Sequence, residues 1–293
     1  MTSITLLTVC VMRWVFHEIP GLAWTTLTVS QPLYIPSGEA TTLTPRQQSI
    51  KDEFIRVRNT WAPQWESILR VDCDFLHAYL NLSAVPLRHD HLEDKVKEFI
   101  YIAVNASSTH LFAPGIQMHL KAAVDFGATL EELMEVLELT STIGIHASNV
   151  AMPILAEVLE EEGLRKRATS ADNRRQALKR RFTEVQGHWD RIWDDALELD
   201  PDFFEAYLEF SSVPWQNGFL EPKIKELVLC ALDVAATHLY EPGIRIHMRN
   251  ALRHGATAEE IMEAIEIASV IGIHGALIGT PMLEDAIAAA QSI

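Results

Sequence analysis

Six histidines of this 293-residue chain fall into pairs 128 positions apart: His110 and His238, His119 and His247, His146 and His274. The other six of its twelve histidines have no such counterpart. Imidazole changes protonation near neutral pH, so three in one unit can move protons, orient one another or ligate a metal. His119 and His247 each stand near the start of a predicted helix that opens after Pro-Gly. A helix N-terminus favours the neutral ring, so both are expected as general bases of lowered pKa. His110 and His238 are expected as second bases or orienting partners. Glu98 and Glu226 fall in a predicted buried helix, where a carboxylate must be paired or carry a raised pKa. Each could orient a histidine, act as an acid, or pair with the neighbouring Lys97 or Lys225. His146 and His274 follow a glycine in an apolar helix, a setting for packing or for lining a pocket. The spacings of 9 and 27 residues between these histidines match no common ligand motif, so no metal is expected. HExxH, Walker, GxGxxG and GxSxG motifs are absent.

The pairing extends to the whole chain. Trp61 and Trp65 recur as Trp189 and Trp193, Val85-Pro86 as Val213-Pro214, and Thr109–His119 (THLFAPGIQMH) as Thr237–His247 (THLYEPGIRIH). Between 98 and 155, 25 of 58 positions equal their counterparts without a gap. That density signals an internal duplication of domain-sized units. The expected organisation is an extension over 1–48, a first unit over 49–163, a basic linker and helix start over 164–181, and a second unit over 182–293.

Helical signals dominate both units. Residues 50–70 and 176–198 carry apolar positions at three-to-four spacing. Leu92–Thr109 is apolar nearly all round, as a buried helix would be. Pro114 suits the first turn of a helix that stops at Gly127. Thr129 with Glu132, and Thr257 with Glu260, form capping-box patterns. Gly144 and Gly272 interrupt long apolar segments, and Pro153 and Pro281 predict a second bend. No alternating strand pattern is convincing, so the expected fold class is all-α.

The charge balance is 24 Lys+Arg against 40 Asp+Glu, a net −16. This excludes a general nucleic-acid binder, which needs a basic face. Cys10, Cys73 and Cys230 are too few and scattered for a disulfide framework, which fits a reducing cytoplasm. The apolar run Ile4–Met12 is too short for a bilayer span and lacks the preceding basic residues of a signal peptide. No membrane partner is expected. The extension is expected to be disordered or packed on a partner subunit.

The copies differ around the central histidine. The second has Arg245 and Arg249 flanking His247, where the first has Gln117 and Lys121. Arginine suits carboxylate binding, so Arg245 and Arg249 are expected to anchor a carboxylate in the second unit.

The run from Lys225 to Gly275, with its R-x-H-x-x-x-A-L-x-x-G-A-T-x-E-E spacing, resembles the carboxymuconolactone decarboxylase family. The first unit is similar more loosely. The resemblance implies two tandem helical domains of the alkyl hydroperoxidase D type. It implies a cofactor-free carboxy-lyase that removes CO2 from a carboxylated lactone in aromatic catabolism, with assembly into a homotrimer of two-unit chains. On this reading His247, His119, His238, His110, Glu226 and Glu98 are catalytic, and Arg245, Arg249, His274, His146 and Tyr240 contact substrate. The peroxidase branch of the family places a CxxC before its histidine. Here those positions hold Tyr240 and Gly243, and Phe112 and Gly115, which excludes a disulfide relay. A related cofactor-free isomerase or lactone-processing enzyme, or a ligand-binding scaffold of the same fold, are the alternatives.

Overall fold

The structure is a computed structural model that describes residues 42–166, 172–187 and 189–291. The expectations for residues 1–41, and for the linker over 167–171, lie outside the described residues. Fifteen α-helices and no strand occur among the described residues. The first half contains α1 (Pro45–Arg58), α2 (Gln64–Val71), α3 (Cys73–Ser83), α4 (Val85–His89), α5 (Asp94–Ala106), α6 (Ala113–Asp125), α7 (Leu130–Thr142) and α8 (Ile145–Glu161). The second half contains α9 (Asn173–Gln186), α10 (Asp194–Leu199), α11 (Pro201–Asn217), α12 (Pro222–Val234), α13 (Glu241–Arg253), α14 (Ala258–Ser269) and α15 (Ile273–Gln291).

The local signals explain most boundaries. Thr129 and Thr257 accept from the backbone N–H of Glu132 and Glu260, and those glutamates accept from the threonine N–H in return. A third capping box, Thr44 with Gln47, starts α1 at Pro45, ahead of the expected unit boundary at 49. Gly127 and Gly255 follow α6 and α13 with φ of +85° and +86°, which glycine adopts without steric cost. The prolines do not end their helices: α8 runs on through Pro153 and α15 through Pro281. The stretches 50–70 and 176–198 with helical spacing each fold as helices separated near a tryptophan, between α1 and α2 and between α9 and α10.

α5 and α12 form the centre. Phe99, Ile100, Ile102, Ala103 and Val104 on α5, and Leu227, Val228, Cys230, Ala231 and Leu232 on α12, are all fully buried in one shared cluster. Full burial of one such Leu, Ile, Val or Phe contributes roughly 1.5–3 kcal/mol. The two halves therefore share one core.

Reciprocal ion pairs reinforce that junction. Lys225 on α12 meets Glu135 on α7 at 2.6 Å, and Glu135 accepts from the N–H of Phe219 and Leu220. Lys97 on α5 meets Glu263 on α14 at 3.4 Å, and Glu263 accepts from the N–H of His91 and Leu92. The lysines that precede Glu98 and Glu226 thus answer to a carboxylate of the opposite half.

The last helix of each half crosses over. Ile273 and Leu277 of α15 pack into a cluster with Ile50, Phe54, Trp65, Ile68 and Leu76 of the first half. Ile145 of α8 packs with Leu178, Phe182, Trp193 and Phe204 of the second. The segments 130–161 and 258–291 are each long and apolar enough, by length and composition, to cross a membrane. Each, however, is two helices meeting at Gly144 or Gly272, with Leu139 and Ile267 buried in the shared core.

Candidate active site

The helix exchange builds two matching histidine clusters, and each contains residues from both halves. In the first cluster α5 supplies Glu98 and α6 supplies His119, joined by a 2.7 Å hydrogen bond between Glu98 Oε2 and His119 Nδ1. His119 also stacks on Tyr101, ring centroids 4.4 Å apart. The turn after α5 carries His110, whose Nε2 lies 2.7 Å from Nδ1 of His274 on the crossing helix α15. Phe112 stacks on His274 at 4.0 Å.

The second cluster repeats this arrangement. Glu226 Oε2 and His247 Nδ1 are 2.7 Å apart, and Asn250 Nδ2 donates to Glu226 Oε1 at 3.1 Å. His238 Nε2 lies 2.7 Å from Nδ1 of His146 on α8. Tyr240 stacks on His146 at 4.0 Å. In both copies the histidine turn is held by a left-handed leucine, Leu111 at φ 49° and Leu239 at φ 51°. Leucine rarely adopts that region, so the surrounding turn imposes it.

The structure therefore brings together His110, His119, Glu98 and His274 in one cluster, and His238, His247, Glu226, His146 and Tyr240 in the other. It does not bring in the two flanking arginines. Arg245 is exposed and its guanidinium pairs with Glu241 one turn earlier; Arg249 is also exposed. Both sit on the face of α13 opposite His247, because neighbours two apart on a helix do not share a face.

The guanidinium near a cluster belongs instead to Arg58, at the end of α1 in the first half. Its Nη2 donates to Ser83 O at 2.9 Å, it lies against the Tyr79 ring, and its buried Nε has no hydrogen-bond partner. It acts electrostatically on Tyr101 and Glu98. The counterpart of Arg58 in the second half is Gln186. A further exchange separates the clusters: Asn105 in the first is Asp233 in the second. Asn105 Nδ2 donates to Tyr101 O at 2.7 Å. Asp233 lies 3.4 Å from His146 Nδ1, 3.7 Å from His238 Nε2 and 3.7 Å from His247 Nε2. One guanidinium at a helix end and one Asn-to-Asp exchange carry no periodic signal, so sequence reasoning did not single out either.

Electrostatics follow from burial. His146 and His274 are both pushed down to about 3 by burial first and by neighbouring histidines second, so each ring is neutral at pH 7. Burial also lowers His110 and His238. His247 departs from the expected lowered pKa. Burial acts to lower it, but the hydrogen bond and charge of Glu226, with Asp233 behind, outweigh that and raise it. The helix dipole cannot compete, since its effect fades beyond the first turn. Burial pushes the Asp233 carboxyl up to about 7.

Gly243 and Gly115, which stand where the peroxidase branch has its second cysteine, have a steric reason. A Cβ on Gly243 would stand 1.9 Å from Asp233 Oδ2, and one on Gly115 would stand 2.2 Å from Asn105 Oδ1. The space a cysteine would need is filled by these side chains. A cavity of about 70 Å³ adjoins the second cluster, lined by His146, His247, Tyr240, Asn149, Gln186 and Ser211 among others.

A family model for the carboxymuconolactone decarboxylase family matches the chain twice, over residues 74–157 and 201–292. The chain belongs to this family. Each matched stretch supplies one copy of the three repeated histidines, so the tandem helical organisation is that of two carboxymuconolactone decarboxylase domains in one chain. A crystal structure from Burkholderia xenovorans LB400, provisionally described as a gamma-carboxymuconolactone decarboxylase subunit, is 55% identical. It covers 85% of this chain and 100% of its own, with a TM-score of 0.81. No curated protein matches the chain.

Proposed function

We propose that the chain is a carboxy-lyase acting on a small carboxylated lactone, with its reaction centre in the first-half cluster. The observation that carries this reading is the Arg58 guanidinium beside Tyr101 and the Glu98–His119 pair, with the neutral Asn105 where the second half has a carboxylate. An anionic substrate is favoured by the first environment and opposed by Asp233 in the second. The family membership and the subunit description of the crystallised relative support the same chemistry.

In this reading Arg58 attracts a substrate carboxylate. Glu98 accepts from Nδ1–H of His119, which fixes the tautomer and leaves Nε2 to face the substrate. The C–CO2 bond breaks, its electron pair passes through the ring double bond into the lactone carbonyl, and CO2 leaves. A solvent proton, taken up at His119 Nε2 and handed to the ring carbon α to that carbonyl, collapses the enolate and completes the double-bond migration. The lactone carbonyl serves as electron sink, so the reaction needs no cofactor. His110 and the neutral His274, 2.7 Å apart in the same cluster, can pass the replacement proton.

NMR of the full-length protein with γ-carboxymuconolactone in D2O tests this. Loss of the carboxyl with deuterium entering the ring, abolished in Arg58→Gln and His119→Gln, supports it. Deuterium exchange without CO2 release would instead establish a cofactor-free isomerase of related lactones. No change in the substrate would remove this substrate and turn attention to the scaffold reading.

The assembly is proposed to be a trimer. α8 and α15 leave Val150, Ile154, Leu155, Val158, Ile278, Met282, Leu283 and Ile287 exposed, and apolar residues so exposed favour an interaction surface. A solution mass of about 99 kDa is expected for three chains of 32.9 kDa; a mass of one chain would overturn it.

A further inference from the structure

Asp233 has no role in the decarboxylation just described, yet it is a buried carboxylate in the second cluster. It is 1% exposed, and neither carboxylate oxygen accepts a hydrogen bond. A buried carboxylate in that condition is neutralised by a proton or balanced by a cation. Its charged or titratable neighbours among the described residues include His146 and His238 near Oδ1, His247 near Oδ2, and Glu226, Cys230, Tyr207 and Tyr240.

We propose that His146, His238 and Asp233 bind a divalent transition-metal ion of the zinc class. Their three donor atoms lie within 4.8 Å of one another. Two imidazoles and a carboxylate select borderline cations such as Zn²⁺ or Co²⁺ over the oxygen-seeking Mg²⁺ and Ca²⁺. Bonds of about 2.1 Å in a tetrahedral site hold ligand atoms about 3.4 Å apart. His146 Nδ1 and His238 Nε2 stand 3.4 and 3.7 Å from Asp233 Oδ1. Their own separation of 2.7 Å opens by less than ~1 Å to admit the ion. Three protein ligands leave a fourth position, and His146 lines the 70 Å³ cavity, which has room for a few waters there.

The surroundings suit a ligand carboxylate. His247, anchored through Nδ1 by Glu226, stands 3.7 Å from Asp233 Oδ2, on the oxygen that the two ligand histidines leave aside. A small approach would let it donate to that oxygen and orient a ligating carboxylate. Gly243 leaves the space that Asp233 occupies. The first cluster is the internal comparison: it keeps both histidines, His110 and His274, but has the amide Asn105 in place of the carboxylate. An amide brings no charge to balance the ion. The ligand spacing was invisible in sequence because His146 comes from the first half and Asp233 and His238 from the second.

The test uses the full-length chain, stripped with a chelator and then titrated with Zn²⁺ and Co²⁺ alone. Calorimetry and metal analysis are expected to give one ion per chain, and Co²⁺ to give visible d–d absorption of a nitrogen–oxygen site. Asp233→Asn, which copies the first cluster, should weaken binding by at least ~100-fold. His238→Gln should do the same, and it serves if the first variant fails to fold. No binding up to about 1 mM, or binding that both folded variants retain, would overturn the proposal. The readout is metal content, so failure of the decarboxylase assay leaves it standing.

Discussion

His146 Nδ1 and His238 Nε2 lie 2.7 Å apart across 92 residues of chain, and their counterparts His274 and His110 lie 2.7 Å apart across 164. Each pair joins a histidine at the turn after a central helix to one on the helix that crosses from the other half. Neither half holds a complete cluster by itself, and the assignment of chemistry to one cluster or the other can be tested one side at a time.

Glu98→Gln removes the carboxylate that fixes the His119 tautomer. We expect kcat for CO2 release to fall by about 10²-fold or more, with circular dichroism unchanged. Glu226→Gln, the same change in the second cluster, should cost little activity. Loss of turnover in Glu226→Gln with Glu98→Gln spared would place the reaction in the opposite half.

Acid should destabilise the fold through His274. Its folded-state pKa of about 3 lies below the ordinary value of about 6.5. The unfolded chain therefore takes up the proton first as pH falls. The stability is complete above about pH 6.5 and is lost between there and pH 3, amounting to as much as ~2 kcal/mol at pH 5. Urea midpoints at pH 7 and pH 5 measure this. His274→Gln should show a smaller drop between the two; an equal drop would contradict the assigned burial of a neutral ring.

Lys225→Met leaves Glu135, which is 0% exposed, as a buried charge without its cation. A loss of about 3–5 kcal/mol is expected in denaturant unfolding. Lys223→Met breaks the more exposed pair with Glu260 and should cost about 1 kcal/mol or less. Equal costs would mean that the Lys225 pair does not tie the halves together.

Gly243→Ala drives a methyl group into Asp233, and a loss of about 1–3 kcal/mol is expected. Gly272→Ala meets nothing within 4 Å and should leave the melting temperature nearly unchanged. A silent Gly243→Ala would show that Asp233 moves aside freely.

The helical fold and the duplication were legible because they are written locally and repeatedly. The capping boxes at Thr129 and Thr257, the all-round apolar α5 and the glycines after α6 and α13 each announce a boundary within a few residues. The pairing of Glu98 with His119 was foreseen only as one of several options, since a spacing of 21 cannot say which way two helices face. The crossing of α8 and α15 was hidden for a different reason. An apolar stripe specifies that a face is buried but not which half buries it, and the two halves offer nearly the same apolar surface. Arg245 and Arg249 looked attractive because they flank a histidine in sequence, whereas helical geometry turns them outward. Arg58 carries no signal in the sequence, and only the approach of α5 places it beside Tyr101.

The exchanged helices have a consequence for how the two clefts can diverge. In a symmetric pair of identical single units, every substitution is made twice, so both clefts change together. Covalent fusion removes that constraint. An arginine at 58 can coexist with a glutamine at 186, and an asparagine at 105 with an aspartate at 233, while α8 and α15 keep each cleft dependent on the other half. One chain can thus hold an arginine-bearing and an aspartate-bearing cluster in the same architecture, and neither can be lost by deleting half the gene without dismantling the other.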